Sequence, residues 1–182
     1  IYDNAYLFFT IEFPKNYPFS PPILTYKSQN KVRIHPNIYV NGKVCLSILG
    51  TWSGPSWTHT MDITTVLLTI QSLLDNNPLA NEPGYEKISG NNLIYENYNK
   101  IIRYNTIDSL IVDRINTDFI DFDIFKNTMI EYFKKNNLYI NDTIEINKNI
   151  KENIKIGIYR IDISIDYEYL KIKYDKLNIN LN

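Results

Sequence analysis

"HPNIYVNGKVCLSILGTW", residues 35–52, contains the only cysteine of the chain, Cys45. A lone cysteine is most often a small buried apolar residue. The alternative is a nucleophile with an oxyanion donor beside it. Asn41-Gly42, between "IYV" and "KVCL", predicts a tight hairpin in which both residues tolerate positive φ, so Cys45 lies three residues beyond a turn. His35-Pro36-Asn37 sets an amide side chain eight residues ahead of the thiol. Pro36 restricts the backbone of His35.

Working outward toward the start, "ILTYKS" (23–28) and "AYLFFTIEF" (5–13) are aromatic and β-branched and predict strands. Between them "PKNYPFSPP" (14–22) carries four prolines, which fix φ and remove donors. It predicts a rigid loop with Phe19 at its tip. Toward the end, "MDITTVLLTIQSLLDNN" (61–77) predicts a helix, because Ile63, Val66, Leu67, Ile70, Leu73 and Leu74 recur at helical spacing. Thr60 or Asp62 caps its start, and "NNPLANEPG" stops it. A second helical segment is expected over about 92–116, with Ile94, Tyr98, Ile101, Ile102 and Tyr104 on one side. A third is expected through Phe119, Phe122, Phe125, Met129 and Phe133, with Thr117 or Asp118 as its cap. In the tail, "IGIYRIDISI" alternates like a strand and "DYEYLKIKYDKL" reads as a short helix.

The chain has 182 residues, of which 44% are apolar, enough for a buried core. A net charge of −1 gives no electrostatic case for nucleic acid or an anionic membrane as partner. One cysteine excludes an intrachain disulfide framework and fits a reducing compartment. No apolar run is long enough to span a bilayer.

Strand, proline loop, strand, HPN, hairpin, cysteine and helix follow in an order that resembles a ubiquitin-conjugating enzyme (E2). "YPFSPP" (17–22) resembles the family's YPF-x-PP loop, "HPNIYVNGKVCLSIL" (35–49) matches its signature, and "YNKIIR" (98–103) resembles its third core helix. "GTWSGPSW" (50–57) and "NEPGYE" (81–86) look like the large Z-class members, with the O-type and the inhibitor-of-apoptosis-repeat hybrids next. Ser47, where many members carry Asp, is usual in that subclass. The resemblance implies an α/β (α+β) ubiquitin-conjugating fold, an antiparallel meander with helices. A core is expected over 1–116 and a mostly helical extension over 117–182. Tyr2 aligns near the family's third strand, so a core lacking its first helix and first two strands, cut from a longer reading frame, is expected.

The resemblance also implies a function. Ubiquitin or a ubiquitin-like modifier would be carried as a thioester on Cys45 and passed to lysine of protein substrates. Thioester exchange needs a thiolate and no dedicated base. Asn37 would either stabilise the oxyanion of aminolysis or brace the loop after the helix; His35 would be mainly structural. Asn81 and Glu82 would orient and desolvate the attacking lysine, with Asn77 as loop support. Phe19, Trp52, Pro55 and Ser56 resemble the surface that grips a RING or HECT ligase, with core burial the alternative for Trp52. Trp57 and His59 have no assigned role, and Lys43 is expected to be solvated. The implied partners are the modifier, an ATP-consuming activating enzyme, a ligase and protein substrates. No metal or organic cofactor is implied, and the implied location is the cytoplasm or nucleus, the host cytoplasm if the source is viral.

Two other classes compete. A non-catalytic interaction module of the same family is favoured by the expected lack of the first helix. A cysteine hydrolase would need a His base with an orienting carboxylate, and neither His35 nor His59 has motif support for that.

Overall fold

The computed structural model describes residues 1–118 and 120–181. The chain divides into two compact units, one formed by Leu7–Tyr95 and the other by Ile1–Tyr6 with Glu96–Asn182.

In the first unit, β1 (Phe8–Glu12) and β2 (Ile23–Lys27) pair antiparallel, with Phe9 opposite Tyr26 and their ring centroids 5.4 Å apart. Phe8, Leu24 and Tyr26 are buried. The expected strand over 5–13 is shorter at both ends. Beyond β2 the expected meander is reduced to isolated bridges, Thr25 with Lys43 and Ile38 with Val44. The Asn-Gly turn also differs from expectation, because only Gly42 has positive φ, at +96°. Gly42 N–H donates to Tyr39 C=O, and Tyr39 N–H to Lys43 C=O. Gly42 C=O accepts from Tyr26 N–H at 2.8 Å, which ties the turn to β2.

Helix α1 (Ile63–Leu73) starts at Asp62, whose carboxylate accepts from Thr65 N–H at 3.1 Å. That satisfies one of the amides a helix start leaves open; Thr60 is not the cap. Val66 and Ile70 are buried, whereas Leu67, expected on the apolar stripe, is exposed. A one-turn 3-10 segment, Pro78–Asn81, follows and buries Pro78 and Leu79.

The second unit is built on α2 (Leu93–Ile107), which continues through a π-helical turn, Asp108–Asp113, into the short α3 (Arg114–Asn116). Together they fill the helical span expected over 92–116. Tyr98, Ile101 and Ile102 are fully buried, Tyr104 is buried, and Ile94 is exposed. Lys173 holds both ends of the π turn, 2.5 Å from Asp108 and 2.8 Å from Asp113. A 3-10 segment (Ile120–Phe125) leads into α4 (Lys126–Asn147). Neither Thr117 nor Asp118 caps α4; its N-cap is Phe125, and Asp118 pairs with Lys126 instead. Phe122, Met129 and Phe133 are buried and Phe125 is exposed; Phe119 lies outside the described residues.

The tail resolves into a hairpin and a helix: β3 (Lys151–Ile156) against β4 (Ile161–Asp166), then α5 (Tyr167–Leu181). "IGIYRIDISI" is therefore not one strand. It is broken at Gly157–Arg160, where Tyr159 and Arg160 adopt left-handed φ of 57° and 52°. Helix α5 packs on α4 through Phe133 and Tyr174, whose ring centroids lie 5.7 Å apart, and Tyr174 OH donates to Asn137 C=O at 2.8 Å. Among the described residues no helix is long and apolar enough to cross a membrane.

Candidate active site

Cys45 lies just after the Gly42 turn, and two hydrogen bonds lock it to Asn37. Cys45 N–H donates to Asn37 C=O at 2.8 Å, and Asn37 Nδ2 donates to Cys45 C=O at 2.8 Å. The eight-residue spacing closes this ring because the chain doubles back between Ile38 and Val44. Asn37 Oδ1 is buried and has no hydrogen-bond partner among the described residues. The amide of Asn37 thus braces the backbone at Cys45, and its described bond is not to the loop after α1. Nδ2 carries two hydrogens, so the Cys45 carbonyl leaves one for another acceptor.

His35 is fully buried. Its Nδ1 accepts from Asn37 N–H at 3.0 Å, and the ring also bonds the backbone of Leu73 at the end of α1. Nδ1 as acceptor puts the ring proton on Nε2. Burial lowers the pKa to about 3, an effect opposed by the Leu73 bond and reinforced by Arg33, so the ring is neutral. A neutral imidazole with both nitrogens engaged is a strut between α1 and the HPN turn, and it has no capacity left for general-base work.

The loop after α1 reaches this cluster through one residue. Asn81 Nδ2 donates to Pro78 C=O at 3.2 Å and lies 3.5 Å from His35 Nε2. Asn77 Nδ2 donates to Ile88 C=O at 3.0 Å, which fastens the loop to the segment beyond it. Glu82 is half-buried and follows the Pro78–Asn81 turn, its N–H bonded to Leu79 C=O. The structure therefore joins His35, Asn37 and Cys45 by hydrogen bonds, with Asn81 approaching His35 Nε2 at 3.5 Å and Asn77 and Glu82 on the adjoining loop. Cys45 itself is a free thiol with only 1% of its surface exposed.

Phe19 stands out at 77% exposure, its ring centroid 6.1 Å from that of His59. Trp52 is 44% exposed, which removes the core alternative, and Pro55 and Ser56 are exposed. Three contacts escape a reading of the sequence. Trp57 Nε1 donates to Pro18 C=O at 2.6 Å and so pins the proline loop to the 50–57 loop. Thr51 Oγ1 accepts from Leu46 N–H at 2.9 Å and donates to Val44 C=O at 2.6 Å, bracketing Cys45. Arg33 donates to Pro36 C=O and covers the Tyr39 ring at 3.6 Å. Only Trp57 has a sequence signal, since an indole N–H that is drawn inward needs an acceptor. Among the described residues, no group of three or more His, Cys, Asp or Glu could hold a metal ion.

Residues 1–105 match the family model described as ubiquitin-conjugating enzyme. The human protein named ubiquitin-conjugating enzyme E2 Z is 45% identical over 116 residues, 62% of this chain and 32% of its own length. The Xenopus tropicalis protein of the same name is 46% identical over 110 residues, 58% of this chain and 34% of its own. A probable ubiquitin-conjugating enzyme of Arabidopsis thaliana is 49% identical over 94 residues, 49% of this chain and 15% of its own. The chain spans about a third of the length of the first of these relatives. A solved Toxoplasma gondii ubiquitin-conjugating enzyme domain is 31% identical at a TM-score of 0.37, covering 46% of this chain and 52% of that one.

Proposed function

We propose, from the premise that this chain belongs to the ubiquitin-conjugating enzyme family, that it carries ubiquitin or a ubiquitin-like modifier as a thioester on Cys45 and delivers it to lysine. The observation that supports this reading is the doubly bonded Asn37–Cys45 pair, which holds the Asn37 amide against the backbone of the residue that bears the thiol.

In the loading step the Cys45 thiolate attacks the thioester carbonyl of the modifier held by an activating enzyme. A C–S bond forms to Sγ, the donor's C–S bond breaks, and the donor cysteine leaves as thiolate. In the discharge step a neutral lysine amine attacks the Cys45 thioester carbonyl. The carbonyl oxygen becomes an oxyanion, the C–N bond forms, the C–S bond breaks with its electrons returning to Sγ, and the extra proton of the amine passes to solvent. The second Nδ2 hydrogen of Asn37 is the donor for that oxyanion, a contact typically worth roughly 3 kcal/mol in an enclosed site. Asn81 and Glu82 are the groups proposed to orient the lysine, and Asn77 supports their loop. Phe19, Trp52, Pro55 and Ser56 form the proposed ligase contact. Residues 1–116 would act as the catalytic core and 117–182 as an extension to it, working in cytoplasm or nucleus with an activating enzyme, a ligase and protein substrates.

The test is charging with an activating enzyme, ATP and labelled modifier. A reductant-sensitive adduct is expected, absent from Cys45→Ala and reductant-resistant in Cys45→Lys. An adduct that persists in Cys45→Ala would overturn the reading. The burial of Cys45 favours one other reading, a non-catalytic interaction module of the same family. For that reading no adduct forms with any activating enzyme.

A further inference from the structure

The peptide unit between Pro36 and Asn37 is held at both ends. Its N–H, that of Asn37, is taken by His35 Nδ1 at 3.0 Å. Its C=O, that of Pro36, is taken by the guanidinium of Arg33. Arg33 is in turn fixed by stacking: its guanidinium carbon lies 3.6 Å from the centroid of the Tyr39 ring. A planar cation over an aromatic face is both attracted to the ring and restricted in rotation. Tyr39 is anchored by the turn that leads to Cys45, through Tyr39 N–H to Lys43 C=O at 2.9 Å and Gly42 N–H to Tyr39 C=O at 3.0 Å.

Rotation of the Pro36–Asn37 peptide plane would swing the Asn37 side chain, since that plane sets the direction of the Asn37 Cα–Cβ bond. One acceptor, His35 Nδ1, and one donor, the Arg33 guanidinium, on opposite edges of the plane prevent the rotation; His35 alone leaves the carbonyl edge unrestrained. We propose that Arg33 is a positioning residue for modifier transfer: it clamps the Pro36 carbonyl, and through that peptide plane it aims Asn37 Nδ2 at the oxyanion formed on the Cys45 thioester. This rests on the thioester reading above. The step it serves is attack of the lysine amine on the thioester carbonyl, where C–N forms, C–S breaks toward Sγ, the oxyanion collapses and the amine proton is released. Thioester exchange also expels a thiolate, but its nucleophile is itself a thiolate with no proton to lose, so its barrier is lower and it depends less on the donor.

A double-mutant cycle on discharge to free lysine tests this, with Arg33→Met, Asn37→Ala and the pair. Met keeps a stem of similar length over Tyr39 and removes the donor. If Arg33 acts through Asn37, Arg33→Met slows discharge about tenfold in the unaltered background, with a much smaller loss in loading, and by less than about twofold when Asn37 is already Ala. Arg33→Lys keeps the charge but not the planar fork; it is expected to fall between Arg33→Met and the unaltered chain, and it serves as the second variant if Arg33→Met folds poorly. An equal fold-loss in both backgrounds, or none in either, would overturn the inference while leaving the thioester reading intact. Failure of the unaltered chain to charge would overturn both.

Discussion

Asn37 and Cys45 exchange two hydrogen bonds of 2.8 Å, one from backbone to backbone and one from side chain to backbone. The pair behaves as a rigid unit, so a change in one residue is read by the other. Asn37→Ala removes one of the two bonds and the proposed oxyanion donor together. Discharge to free lysine should slow by about tenfold to a thousandfold, the range for a lost oxyanion donor, with a far smaller effect on loading. Single-turnover discharge of preformed adduct checks this against the melting transition of the same variant. Equal discharge in variant and unaltered chain would remove Asn37 from the mechanism.

His35 makes stability depend on pH. Its folded pKa is about 3 against an ordinary 6.5, so below about pH 6.5 the unfolded chain binds a proton that the folded chain refuses. The stability contributed by the neutral ring is complete above that pH and is lost as pH falls toward 3. Between pH 7.5 and 5.5 the loss should be about 1 kcal/mol. Urea titrations at the two values check it. His35→Gln should be less stable at pH 7.5 and should lack this part of the pH slope; an unchanged slope would assign the dependence elsewhere.

Gly42 is required twice over. Its φ of +96° disfavours any side chain, and a Cβ there would sit 2.9 Å from Thr25 Cγ2 and 3.1 Å from Tyr26 C=O. Gly42→Ala should cost about 1–3 kcal/mol through strain alone, measured by chemical denaturation. Asn41→Ala, whose φ is ordinary, should cost clearly less, through loss of the bond from Lys43 N–H to its Oδ1.

Phe19 and Trp57 should separate binding from stability. Phe19 is exposed, so Phe19→Ala should leave the melting transition nearly unchanged and weaken ligase-stimulated discharge. Trp57→Phe leaves Pro18 C=O without its donor and should cost about 1 kcal/mol. Unfolding caused by Phe19→Ala would show that the ring is structural.

The closeness of Asn37 to Cys45 was easier to read from the sequence than the elements around it. The eight-residue interval between Asn37 and Cys45 was legible because a turn with one glycine closes it. Helix α1 was legible from its apolar period and from Asp62. The break in "IGIYRIDISI" was not, because the turn places Tyr159 and Arg160 at positive φ with neither Asn nor Gly at those positions to announce it. The exposure of Leu67 and Phe125 was also hidden, since periodicity marks a stripe and not the partner that covers it. Arg33 was silent for a different reason: a cation in a polar stretch usually means solvent, and only the folded chain brings it over Tyr39.

The 1% exposure of Cys45 has a kinetic meaning. A thiol this enclosed meets an incoming acyl donor only in the fraction of molecules whose neighbouring side chains have moved aside. If Cys45 is charged as proposed, the charging rate would be the intrinsic rate multiplied by that fraction, so an arrangement populated at about one part in a hundred would slow charging about a hundredfold. Iodoacetamide would face the same barrier, and its alkylation rate in the native protein should rise with sub-denaturing urea and approach that of a free thiol on unfolding. A partner that held the surrounding side chains apart would accelerate loading without contributing any chemistry. Between such encounters the resting sulfur would be sheltered from peroxide and stray electrophiles.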